Sequence, residues 1–427
     1  MARVFVALAL ALIVGACGSK KDPVPAGEPP AASDPVVTGE PPAAGMAASS
    51  HDESAEQREL GGEIPDSPCP ITAGEGRGSH QIFDRLLDES SARLEALDFA
   101  VATACANVAV DLEPSSIEAH HLRASGLAAL GNFADAQIAY AMALALDPDD
   151  PETLSAAAHF YINILPPKSR ESTLVGLEHA RRGSLRAEAR RRKDTHLRAR
   201  LALLEAQALN DLARADEAIE RVSAAIRLEP ELVEARYERG VSLFNLCKFE
   251  EAGAAFKAVL GLAPDDPYAH YHLALIYERD RRPADAKAHF QRAWSHPSGE
   301  FAPPPAISEK EFRAEVQEAI SELPEDTRSL LQGVSVDVVD LPDRADLVAV
   351  EPPFAPTILG LYRGLPRGVE DPSGAAPARA VVLYRLNLAR AVRTRDELDR
   401  QIRRTLLHEI GHVAGLDEDQ LRRRGLD

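Results

Sequence analysis

Residues 233–266 read VEARYERGVSLFNLCKFEEAGAAFKAVLGLAPDD, and residues 267–300 continue PYAHYHLALIYERDRRPADAKAHFQRAWSHPSGE. Small residues (Gly240, Ala252) alternate with large ones (Phe244, Phe256) at helical spacing, and Pro264 closes the first block. The second block repeats the order with Ala274, Tyr277, Ala286, Phe290 and Ala293, and its Pro297 falls one place early. Each block therefore predicts a helix, a short turn and a second helix. Small residues let the two helices approach, large ones fill the groove beside them, and the proline ends the second helix because it cannot continue the hydrogen-bond ladder. One block cannot bury its own apolar face, so neighbouring blocks must stack.

The same order recurs upstream in residues 117–150, with Ala124, Leu127, Gly131, Ala136, Tyr140, Ala143 and Pro148. Pro114 and Pro148 are 34 residues apart, as are Pro230 and Pro264. This period and its small/large positions resemble the tetratricopeptide (TPR) repeat. Units 83–116 and 199–232 match more weakly, and 151–198 reads as one repeat with an enlarged turn at Leu165-Pro166-Pro167 and an extended, Arg-rich second helix. About six repeats are expected over 79–300. The resemblance implies a binding array whose concave face takes a peptide or a protein partner. The fold alone names no particular partner.

A chain of 427 residues has room for two or three domains. Aromatics at 5% and abundant alanine favour stacked helices over a β-sandwich. The formal charge of −19 argues against a non-specific nucleic-acid binder, which would carry a basic face. The one basic cluster, Arg181, Arg182, Arg186, Arg190, Arg191, Arg192 and Lys193, reads as the solvated face of a helix, with a site for an acidic partner as the alternative. The four cysteines form no disulfide framework and no zinc-type pairing. Cys105 and Cys247 fall in helical patterns as small core residues, and a Cys69–Cys105 bridge is the alternative in an oxidising compartment.

The N-terminus opens with Arg3, an apolar run from Val4 to Val14, then Gly15-Ala16-Cys17. A positive start, a short apolar core and a small-residue end predict a secretory signal over 1–17. Val14-Gly15-Ala16-Cys17 resembles a bacterial lipobox, which implies lipidation of Cys17, a membrane anchor and a place in the bacterial cell envelope. Residues 18–78 carry 11 acidic and 4 basic side chains among Pro, Ala, Gly and Ser, and read as an extended, disordered tether.

After Trp294 the repeats stop, and the Pro-rich stretch 301–307 predicts a stiff linker. Residues 308–427 then change character. Glu309 to Leu323 reads as an amphipathic helix ended by Pro324, and strands are expected at Val334–Val339, Thr357–Tyr362 and Arg379–Tyr384. Thr394 and Glu397 form a capping box that starts the last long helix, Leu398, Ile402, Leu406 and Val413 mark its buried face, and Gly415 supplies its stop. Inside that helix lies His408-Glu409-Ile410-Gly411-His412.

HExxH on a helix has a defined chemistry. Residues i and i+4 share a face, so two imidazoles can grip one zinc ion. Glu409, offset by one residue, reaches a water beside the metal and serves as general base, passing its proton to a leaving amine. Zinc needs a third protein ligand. No His lies between His296 and His408 or after His412, and Met1, Met46 and Met142 leave no methionine turn after the motif. The near candidates are Asp417, Glu418 and Asp419; an HExxHxxGxxH/D layout puts the ligand at Glu418, with Asp417 as runner-up.

The segment from Ser308 to Asp427 resembles the bacterial minimal zincin-like metallopeptidases. The resemblance rests on Leu323-Pro324-Glu325, the strand around Val336, Leu359-Gly360-Leu361-Tyr362, Val382-Leu383-Tyr384-Arg385, and Thr405 to His412 through Gly415-Leu416-Asp417-Glu418. It implies a compact zincin-like fold with HExxH zinc ligands, and implies a substrate much less. The expected fold is thus mainly α: a TPR α-solenoid followed by a small α+β zincin-like domain. Two functions follow as expectations. One is a membrane-tethered zinc peptidase whose array recruits a peptide or protein substrate; the other is a non-catalytic scaffold lipoprotein with a vestigial zincin domain.

Overall fold

A computed structural model of the chain describes residues 69–71, 79–189, 194–299, 301–369 and 378–426. Cys17, the signal, residues 18–68 of the tether and residues 190–193 of the basic cluster lie outside the described residues.

Among the described residues twelve α-helices precede the linker: α1 Ser79–Glu95, α2 Phe99–Leu112, α3 Ile117–Ala129, α4 Phe133–Leu146, α5 Pro151–His159, α6 Arg170–Ala189, α7 Thr195–Asp211, α8 Ala215–Leu228, α9 Val233–Asn245, α10 Phe249–Leu262, α11 Pro267–Arg279 and α12 Pro283–Trp294. They follow one another as six helix–turn–helix pairs among the described residues. The helices α2, α4, α8 and α10 each stop two residues before Pro114, Pro148, Pro230 or Pro264. The residue before a proline disfavours the helical region, and Glu113, Glu229 and Ala263 accordingly leave it, with ψ of 81°, 89° and 84°. Asp150 and Asp266 then cap the next helices, accepting from Thr153 N at 2.9 Å and Ala269 N at 2.8 Å.

The turn inside five of the pairs contains a left-handed residue: Leu97 (φ 60°), Gly131 (φ 81°), Ala213 (φ 59°), Cys247 (φ 57°) and Arg281 (φ 55°). Leu97 and Gly131, and again Ala213, Cys247 and Arg281, are spaced by 34 residues. The repeat thus imposes its turn geometry even where no glycine stands. The irregular pair has no such turn: α5 runs into a π-helical segment, Phe160–Ile164, and Leu165 is extended before α6 begins. In α6, Arg182 and Arg186 pair with Asp149 and Arg181 with Glu217, all partly exposed, so these three form a solvated, ion-paired face.

The described residues divide into two compact units, those from 69 to 114 with 122–138, and 115–121 with those from 139 to 426. Within the first, α1 packs on α2, Ser90 Oγ donates to Ala102 O at 2.9 Å, and Cys69 is bonded to Cys105. The reading of Cys105 as a plain core thiol is therefore corrected: it is fully buried, and its sulfur is joined to Cys69. Cys247 is a free, buried thiol as expected.

Within the second unit the helices from α5 to α12 stack in succession around two apolar clusters, one centred on Leu204 and Leu209, the next on Phe244, Phe256 and Leu273. The region after the linker follows with α13 Glu309–Ser321, α14 Glu325–Ser329, β1 Ser335–Val339, α15 Arg344–Leu347, β2 Gly360–Arg363, β3 Ala380–Tyr384, α16 Arg385–Arg390, α17 Arg395–Val413 and α18 Glu418–Arg423. The sheet order is β1-β3-β2; β3 is central, parallel to β1 (Ser335 beside Ala380) and antiparallel to β2 (Gly360 beside Leu383). β2 starts at Gly360 rather than at Thr357 because the carbonyls of Pro356 and Ile358 are taken by Asn387 Nδ2, at 3.1 and 2.8 Å.

All five residues of β3 are buried, because both faces of the sheet are covered. Val381 and Leu383 pack with α13 and α17 through Phe312, Leu398, Ile402 and Leu406. Ala380, Val382 and Tyr384 pack on the opposite side against Cys247 and Phe249 of the repeats and against Leu347, Ile358 and Phe354. Polar contacts fasten that side: Arg279 donates to Pro342 O at 3.0 Å and to Pro356 O, and Arg390 grips Glu278 through both carboxylate oxygens at 2.6 and 2.7 Å. The sheet lies between the HExxH helix and the last repeats.

Candidate metal centre

The start of α17 is held by the Thr394/Glu397 capping box, with Glu397 N donating to Thr394 Oγ1 at 3.2 Å and Thr394 N to Glu397 Oε2 at 3.0 Å. Leu398, Ile402, Leu406 and Val413 are completely buried, which fixes the rotation of the helix. His408 and His412 then share one face, a turn apart. Each ring is anchored by its Nδ1: His408 to Leu426 O at 2.8 Å and His412 to Leu416 O at 3.0 Å. A carbonyl only accepts, so Nδ1 carries a proton toward it and Nε2 is left to face the site. The two Nε2 atoms stand 3.2 Å apart.

Glu418 completes the group. Its Oε1 lies 3.2 Å from His412 Nε2 and 3.7 Å from His408 Nε2. Glu418 is the first residue of α18, and its neighbour Asp417 is the cap of that helix, accepting from Gln420 N at 2.7 Å. Asp417 is thereby occupied in turning the chain, and Asp419 pairs with Arg422. The helix α18 can lie close to α17 because residue 411 is glycine: a Cβ there would meet Leu421 Cδ2 at 2.3 Å.

Does this set fit a zinc ion? His408, His412 and Glu418 offer two imidazole nitrogens and one carboxylate oxygen, the donor types of catalytic zinc sites. Donors of a tetrahedral zinc at ~2.0–2.1 Å stand ~3.3 Å from one another, close to the three separations found. Glu418 Oε2 is buried with no hydrogen-bond partner, a cost that a cation at the site offsets. The residues fit the metal.

The charges answer to the same geometry. Burial would lower the pKa of His408, but the Glu418 carboxylate and the nearby Glu409 outweigh it and raise it to about 9. Burial would raise Glu418, but its two histidine partners pull it down to about 2. Glu409 is only 6% exposed, and burial raises its pKa against the opposing pull of His408 and His412. The backbone of Tyr362 on β2 lies beside its carboxylate and slightly favours the charged form. Gly360 makes room for it, since a Cβ there would come within 2.9 Å of Glu409 Oε1 and 2.8 Å of Thr405 Cγ2. The supports missed by sequence reasoning are the backbone carbonyls of Leu416 and Leu426, which no side-chain pattern marks.

Comparison with known proteins agrees with both halves of this description. Residues 331–426 match the family model of the zincin-like metallopeptidases, and residues 203–267 and 248–299 match that of the tetratricopeptide repeat. The chain thus joins a TPR array to a zincin-like metallopeptidase domain. No curated protein matches it. Among solved structures it is similar to Pseudomonas aeruginosa pilF, with 15% identity over 56% of this chain and 100% of the other and a TM-score of 0.43. It is also similar to YrrB, described as a TPR protein with an unusual peptide-binding site, with 18% identity over 44% of this chain and 90% of the other and a TM-score of 0.34. A third is MamA, with 21% identity over 40% of this chain and 91% of the other and a TM-score of 0.33.

Proposed function

We propose that the protein is a zinc-dependent peptidase whose TPR array recruits the polypeptide substrate or a protein partner. The observation that carries this reading is the convergence of His408 Nε2, His412 Nε2 and Glu418 Oε1, each ring fixed from behind, beside the buried carboxyl of Glu409. His408, His412 and Glu418 would hold one zinc ion, which when bound supplies Lewis acidity toward a peptide carbonyl and makes water a stronger nucleophile near neutral pH. Glu409 takes the proton of the attacking water and returns it to the leaving amine. A carboxyl whose pKa is raised by burial is suited to both halves of that transfer.

The experiment is the Glu409→Gln exchange in the zinc-loaded chain, assayed against a broad peptide library. The variant is expected to keep its fold and zinc stoichiometry and to lose hydrolysis by ~10²-fold or more, as for removal of a positioned acid–base group. A wild type that cleaves nothing would favour the scaffold reading instead.

The lipobox at Cys17 supports placing the protein on a membrane of the bacterial cell envelope, held by lipid through the Pro-rich segment 18–78. The Cys69–Cys105 disulfide supports an oxidising compartment. Among the described residues no helix is long and apolar enough to cross a membrane. Mass spectrometry of the membrane fraction tests the anchor; a mature chain that starts elsewhere than Cys17 refutes it.

A further inference from the structure

In the middle of the repeats a buried carboxyl faces a buried amide. Glu238, on α9, is only 7% exposed. Asn210, on α7, donates through Nδ2 to Glu238 Oε1 at 2.6 Å and to Ser242 Oγ at 2.9 Å. Ser242 Oγ donates to the backbone carbonyl of Glu238 at 3.0 Å, so its hydrogen is committed and it accepts from the amide. That direction settles which end of the Asn210 amide is nitrogen. Both amide hydrogens are then used, and Asn210 Oδ1 is left buried without a donor. Lys168 Nζ, the cation that could answer Glu238, stands instead 2.6 Å from Asp211 Oδ2. Among the described residues Asp211 and Lys168 are the charges that act on Glu238. Beside it on α9, Tyr237 has its hydroxyl 3.4 Å from His272 Nδ1 on α11. Burial drives the Tyr237 phenol well above its ordinary value and His272 down to about 4, so both are uncharged in the neutral range. Burial likewise pushes the Glu238 carboxyl up to about 7.

A carboxylate only accepts, whereas a carboxylic acid accepts and donates. An acid and an amide can therefore close a ring of two hydrogen bonds, N–H to one oxygen and O–H to the other. We infer that Glu238 keeps its proton and donates it to Asn210 Oδ1, so that one proton fastens α9 to α7 and its loss loosens this joint of the array. Ionisation would leave a buried carboxylate without a cation and a buried acceptor without a donor, and both are costly. The joint lies between the fourth helix pair and the fifth. Neither zinc nor a substrate enters it, so it stands or falls apart from the peptidase reading. The sign follows from linkage. A carboxyl raised from 4.5 to about 7 on folding supports the joint fully below about 4.5, loses that support as pH rises to about 7, and adds no further change above.

The test compares the full chain with its Glu238→Gln variant, because glutamine reproduces the acceptor and the donor of the protonated acid and cannot ionise. Amide hydrogen exchange, corrected for the intrinsic effect of pH, reads the opening of α7 and α9 directly. Between pH 5 and pH 8 the wild type is expected to lose protection in both helices by about tenfold or more relative to the variant. At pH 5 the two should match. A second reading needs no opening: the infrared difference spectrum, wild type minus variant, should hold the C=O stretch of an un-ionised carboxyl at pH 6 and carboxylate bands at pH 8. A parallel pH course of protection in the two chains overturns the inference. So does a carboxylate spectrum already at pH 6, which would mean that Asn210 Oδ1 takes its hydrogen from water. A Glu238→Gln chain that does not fold also overturns it, since that variant carries the hydrogen bonds assigned to the native joint.

Discussion

Glu418 and Asp417 are adjacent acids with different work, and the difference is measurable. Glu418 faces both histidines, whereas Asp417 spends its carboxylate on the N–H of Gln420. Exchanging Glu418 for Ala should weaken zinc binding by ~10-fold or more, since an anionic donor is removed and only the two rings remain. Asp417→Ala should cost ~1 kcal/mol of stability through loss of a helix cap, with a smaller effect on the metal. Competition titrations with a chromophoric chelator check the order; the reverse order would move the ligand to Asp417. The same titration has a signed pH dependence. With its pKa raised to about 9, His408 holds a proton in the metal-free protein through the neutral range, and zinc must displace it. Affinity should therefore rise with pH and level off above about 9. Calorimetry in two buffers of different ionisation enthalpy should register proton release on zinc uptake at pH 7.

At the scale of the element, the repeat turn is under strain wherever its left-handed residue carries a side chain. Arg281 is exposed and has φ 55°, at the position that Gly131 holds with φ 81° in an earlier pair. A left-handed L-residue costs ~1–2 kcal/mol, and glycine gives part of that back as unfolded-state entropy. Arg281→Gly should thus stabilise the protein by roughly 0.5–1 kcal/mol, and Gly131→Ala should destabilise it by a similar amount. Denaturant melts of the two variants read the opposite signs; a neutral or destabilising Arg281→Gly would mean that the guanidinium makes compensating contacts.

For the molecule as a whole, the sheet and the repeats from α5 onward belong to one compact unit. The Arg390–Glu278 pair lies at their contact, with side chains 9% and 23% exposed. Breaking one side of such a pair strands the other charge, which costs ~3–5 kcal/mol, whereas removing both partners costs less. Arg390→Ala should lower the melting transition of the full chain strongly, and Glu278→Ala added to it should restore part of the loss. Additive losses in that double-mutant cycle would show that the pair is solvated in solution.

Much of the architecture is local and periodic, and for that reason legible in the chain. The 34-residue spacing of prolines sets where helices end, because a proline constrains the residue before it whatever surrounds it. The capping box at Thr394 and the buried face through Leu398, Ile402 and Leu406 set the start and rotation of the HExxH helix, and with them the shared face of His408 and His412. The HExxHxxGxxH/D spacing pointed to Glu418 over Asp417, but the physical reason for that division of work was not legible. That division depends on the cap that Asp417 makes and on the close approach that Gly411 permits. The packing of Cys247 and Phe249 against β3 and the anchoring carbonyls of Leu416 and Leu426 were silent in sequence. Backbone groups carry no sequence signature, and contacts between residues more than a hundred positions apart have no period to read; only the tertiary structure decides them.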